Sequence, residues 1–115
     1  MSITPEIQAL VDRLNHELEE IEREITEGLN LVRPIIARFP DNTILTQFFA
    51  SLNNTLLFLE ISRRRIQITV NRISPSDVAS EEIVEAGEDL GNELGRLLEA
   101  KISVERIVNR LRELL

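Results

Sequence analysis

Three consecutive arginines, Arg63, Arg64 and Arg65, are the side chains in this sequence best suited to hold a ligand. Guanidinium groups grip phosphate or carboxylate through paired hydrogen bonds, so a small anion is the ligand class they imply. The plainer reading is ion pairing between helices, because the chain carries a net charge of −7 and supplies carboxylates throughout. Arg63 falls on an apolar seam and must either reach out of the core or pair within it, since a lone buried charge is very costly.

His16 is the sole histidine, and Glu17, Glu19 and Glu20 beside it are metal-ligand types. Carboxylate di-metal bundles need a Glu-x-x-His motif on each of two helices, and no Glu-x-x-His occurs here. His16 therefore reads as a surface residue, and neither a metal nor a cofactor is expected. The chain has no cysteine, which removes thiolate catalysis, disulfides and thiolate-bound zinc together. No nucleophile-elbow motif and no glycine-rich phosphate loop is present. We expect no catalytic residues and no enzyme.

Gly87, Gly91 and Gly95 form a ladder spaced by four. Each glycine inside a helix costs about 1 kcal/mol relative to alanine. Glycines four apart share a face and let another backbone approach closely. The functional expectation is a tight helix crossing in a homodimer, or a groove for a partner helix. The alternatives are close packing within one subunit or a locally irregular helix.

Nucleic acid is not an expected partner: the chain is acidic, with a pI near 4.8, and has no Trp or Tyr to stack bases. Nor is a membrane. Apolar clusters such as Leu56 to Leu59 are far shorter than the ~20 residues that cross a bilayer. The amphipathic stretch Ile102 to Leu115 reads as a core-facing last helix, with Arg106, Arg110 and Arg112 near its C-terminal end where the helix dipole favours cations. No signal peptide is visible in Met1 to Gln8, and the lack of cysteine is compatible with a reducing cytoplasm.

These side chains sit on three long stretches whose apolar residues recur in a 4-3 rhythm, which keeps one helix face against a partner. The first runs Ile7, Val11, Leu14, Leu18, Ile21, Ile25, Gly28, Val32, Ile35, Phe39. It predicts a helix over about 5–39 with Thr4 as N-cap and Pro5 in the first turn. Pro34, with Gly28 on the seam just before it, predicts a kink near Asn30 to Arg33 or a split into two helices. The second seam, Leu45, Phe49, Leu52, Leu56, Leu59, Arg63, Ile66, Val70, Ile73, predicts a helix over 43–73, widened by Phe48 and Phe58. Within it, Arg65 to Val70 alternates like a strand but has no strand partner. The third seam, Ile83, Gly87, Leu90, Leu94, Leu97, Lys101, Val104, Val108, Leu111, Leu115, predicts a helix over 76–115 capped by Ser74. A later start at Ser80 is the alternative. Lys101 weakens this seam, Ile102 and Ile107 also call for burial, and Ser103 is a candidate cap for a separate last helix.

Short breaks between long helices make sequential neighbours antiparallel. The expected fold is an all-α antiparallel three-helix bundle with coiled-coil-like packing, one domain over 1–115, built of rods roughly 45–50 Å long. Facing positions should sum to about 82 between the first two helices and about 152 between the last two, at one fold-back each. That register sets the arginine cluster between Glu17, Glu19 and Glu20 on one side and Glu85, Glu88 and Asp89 on the other. The function implied is a non-catalytic protein-interaction module, adaptor or oligomeric spacer, cytoplasmic and homodimeric or bound to another helical protein. Two alternatives are a regulatory bundle holding a small anion at Arg63 to Arg65, and a helical spacer in a larger complex. In architecture alone the chain resembles the long heptad hairpins that act as spacers in many large assemblies, specificity subunits of restriction systems among them, and no motif in it selects one of these.

Overall fold

A computed structural model describes residues 3–115 as three α-helices and no strands: α1 (Pro5–Arg38), α2 (Thr43–Ile73) and α3 (Ser80–Glu113). The helices lie side by side in a rod measuring 59 × 18 × 16 Å. α1 starts where the sequence supplies a cap: the Thr4 hydroxyl accepts the Ile7 N–H, and Pro5 follows without wasting a donor. The Asn42 side chain likewise accepts the Leu45 N–H at the start of α2.

α1 is a single helix through both Gly28 and Pro34. Pro34 and Asn30 lie on the exposed side, where water can satisfy the Asn30 carbonyl that loses its donor. Arg65 to Val70 is helical within α2; its β-branched residues are overridden by burial of Ile66 and Thr69. α3 is unbroken past Lys101 and Ser103.

Its beginning corrects the sequence expectation: α3 starts at Ser80, not at residue 76. Ser74 closes α2 instead of opening α3. Its hydroxyl donates to the Val70 carbonyl and its N–H to the Asn71 carbonyl. Residues 74–79 form the connection, with Val78 turned in against the core.

The core follows the three seams. Leu14, Leu18, Ile21, Ile25 and Val32 of α1 meet Leu52, Leu59 and Ile73 of α2 and Leu90, Leu97, Val104, Val108 and Leu111 of α3, all essentially solvent-free. Truncating any of these leucines to alanine typically costs 2–5 kcal/mol at about this degree of burial. Phe39 and Leu115, at the seam ends, are exposed. Ile107 is buried, but Ile102 projects into solvent.

Gly28 has a packing role. A Cβ placed there would lie 2.9 Å from Leu52 Cδ1 and 3.1 Å from Val108 Cγ2. The glycine lets α2 and α3 close on α1 at one level, so it serves packing between helices.

Candidate interaction surface

Charged side chains set the register of the bundle. Lys101 of α3 donates to both oxygens of Glu17 at 3.2 Å and to Glu20 at 3.1 Å, and Arg112 holds Glu27 at 2.7 Å. These partners differ by 84, 81 and 85 positions, and a constant difference is the mark of parallel helices. Between α2 and α3, Ser62 donates to Glu93 at 2.9 Å and Arg72 reaches Asp89 at 3.0 Å. Their positions sum to 155 and 161. The α3 residues facing α2 therefore lie later in the sequence than the expected sum of about 152 implies, by about one to two and a half helical turns, and this changes which α3 acid faces the arginines.

The displacement redistributes the ligand-type residues. Arg63 pairs with Glu22 on α1 at 3.3 Å, and Arg65 approaches Glu93 on α3 at 3.6 Å. Arg64 is exposed between them and makes no ion pair among the described residues. Arg63 and Arg65 thus go to partners on different helices, Arg64 to none among the described residues, and the three do not share one anion. Glu17 and Glu20, expected opposite the arginines, belong to Lys101. His16 is exposed, 3.3 Å from Glu20.

Two carboxylates are buried and fully engaged. Glu93 accepts from Ser62, from Arg96 at 3.1 Å and faces Arg65. Glu17 accepts from Lys101. Among the described residues no buried side-chain polar atom lacks a partner. The Lys101 ammonium, held by hydrogen bonds to Glu20 and Glu17, is pushed above the usual lysine range. The same bond holds the Glu20 carboxyl below its usual range. Glu27 raises Arg112 in the same way, through a hydrogen bond and its charge. The interior charges are thus occupied in holding three helices in register.

What is left unsatisfied is apolar. α2 is long and apolar enough to span a bilayer by length and composition, yet only 17% of its most apolar window is buried within the bundle. Leu57, Ile61 and Ile68 stand on its outward side, where neither α1 nor α3 reaches. The glycine ladder is likewise outside. A Cβ at Gly87, Gly91 or Gly95 would meet nothing within 4 Å, so the ladder serves no packing within the chain. It runs beside exposed Val84 and Ile102. At the end of the rod, Ile35, Phe39, Ile44, Phe48 and Leu114 line an open groove of about 520 Å³. Sequence reading found the ladder and the breadth of α2, but not this groove: its walls come from the ends of all three helices.

No family model, no curated protein and no solved structure matches the chain.

Proposed function

We propose that the protein is a non-catalytic helical interaction module, an adaptor or oligomeric spacer whose working surface is a helix face. One observation carries this reading: the most apolar helix leaves Ile44, Leu57, Ile61 and Ile68 exposed, while every buried charge among the described residues is paired. Contiguous exposed apolar surface of this kind is the common mark of a protein-binding face. The rod shape fits a spacer, since a long thin bundle presents helix faces along its length. The cysteine-free composition suits work in a reducing cytoplasm.

Site-specific photocrosslinking in living cells tests it. A photoreactive residue at Leu57 or Val84 is expected to give adducts of discrete mass, and the same residue at Arg23, on the polar outer side of α1, none. Absence of adducts at both apolar positions, or equal labelling at Arg23, overturns the reading.

A further inference from the structure

We propose that a second copy of this chain packs antiparallel on the outward face of α2, about a two-fold axis level with residues 62 and 63. The inference rests on the interaction reading above and names its surface and partner.

The outward face of α2 carries a second seam. Asn54, Leu57, Ile61, Arg64, Ile68 and Asn71 recur at spacings of three and four, and all six are exposed. This is the repeat that seats one helix on another, displaced around α2 from the seam that faces the core. Its apolar members are more than one-third exposed, Leu57 at 57% and Ile68 at 59%, so the bundle leaves them uncovered.

The seam is complementary to itself. Its members pair off in position numbers that sum to 125, which is the rule for an antiparallel two-fold. Leu57 then meets the partner's Ile68. Ile61 meets the aliphatic stem of the partner's Arg64, whose head extends to the rim. Asn54 meets the partner's Asn71. Asn71 Oδ1 already accepts from Gln67, which leaves its amide nitrogen to donate across the axis.

Charge supplies the argument for a second copy over another protein. Glu60 and Arg64 are exposed, and neither makes an ion pair among the described residues. In the antiparallel register Glu60 is one residue out of level with the partner's Arg64, about 1.5 Å along the axis and on the same side of the seam, and the two-fold makes that pair twice. The other outward faces do not offer this. α1 exposes no large apolar side chain within its helix among the described residues. The α3 glycine line runs beside exposed Glu81, Glu85 and Glu88, so two copies meeting there would bring like charges together.

Charge reversal tests the pairing. Glu60→Arg makes both members of the pair basic and Arg64→Glu makes both acidic. Both side chains are exposed, so the monomer fold is kept, and circular dichroism checks that. Light scattering should show the parent chain moving from 13.2 kDa toward twice that mass as concentration rises. Each variant alone should dissociate at least about tenfold more readily. An equimolar mixture of the two variants should regain the parent's association, because each basic patch then meets an acidic one. A parent that stays monomeric at millimolar concentration overturns the proposal, as do single variants that associate like the parent or a mixture that fails to recover. Crosslinked adducts at Leu57 or Val84 with another protein, beside a monomeric parent, would keep the interaction reading and discard this surface.

Discussion

The Lys101 ammonium lies 3.2 Å from both oxygens of Glu17, joining α3 to α1 across 84 positions of sequence. The contact ties together the two helices that are not consecutive in the chain. It also marks the register, because sliding α3 by one turn would carry the ammonium away and leave the buried carboxylate of Glu17 unpaired. A nonpolar seam alone tolerates such slippage more readily than a seam with a fixed polar layer.

Lys101→Met should therefore destabilise the bundle although it makes the seam more apolar. Removing one partner of a buried pair strands the other. The ammonium is about a third exposed, so a loss of about 2 kcal/mol is expected, less than for a fully buried pair. Urea unfolding followed by far-ultraviolet circular dichroism measures it. An unchanged midpoint would show that Glu17 is hydrated without its partner.

Stability should fall at both ends of the pH scale for reasons traceable to this cluster. The Glu20 carboxyl is held below 4.5 by Lys101, so its contribution is complete above 4.5 and is lost as pH drops through the lower folded value. The Lys101 ammonium is held above 10.5 by Glu20 and Glu17, so its contribution is complete below 10.5 and is lost as pH rises through the higher folded value. The chain has no Tyr, no Cys and a single Lys, so no other side chain titrates at that alkaline step. Urea midpoints across pH should decline above 10.5 in the parent and stay flat there in Lys101→Met. A decline of equal size in both would assign it to something else.

The fold was legible because burial follows the heptad positions and because Thr4, just before Pro5, caps α1. Ser74 was misread for a local reason: a serine between two helices can end one or begin the other, and which carbonyl its hydroxyl meets is a tertiary fact. Lys101 read as a flaw in its seam because its partners lie on a helix that is not its sequence neighbour. The glycines illustrate the same limit. Gly28 and Gly91 are the same residue in similar helical contexts, and only the facing helices tell them apart.

Alanine at those two glycines should change stability in opposite directions. At Gly91 a methyl enters open space, and helix propensity alone should add about 0.5–1 kcal/mol. At Gly28 the methyl meets Leu52 and Val108 from two sides. Overpacking there should outweigh propensity and leave a net loss of about 1 kcal/mol, with Gly28→Val losing about 2–3 kcal/mol. Thermal melts of the three variants rank them. A stabilised Gly28→Ala would mean that the Leu52 side chain swings aside freely.

The Ser62–Glu93 contact should behave as a unit. Ser62 is fully buried and Glu93 is 3% exposed, so each depends on the other across the α2–α3 interface. Ser62→Ala alone leaves a buried carboxylate oxygen short of a donor, and Glu93→Leu alone leaves a buried hydroxyl without its acceptor. Each should cost about 1–3 kcal/mol. Arg65 and Arg96 are half exposed and return to water when Glu93 is removed, adding little. The double variant replaces both polar groups by apolar ones and should lie within about 1 kcal/mol of the parent. A double-mutant cycle in urea reads the coupling directly. Additive losses would show that the hydroxyl and the carboxylate are satisfied separately, with Ser62 turning back to its own helix.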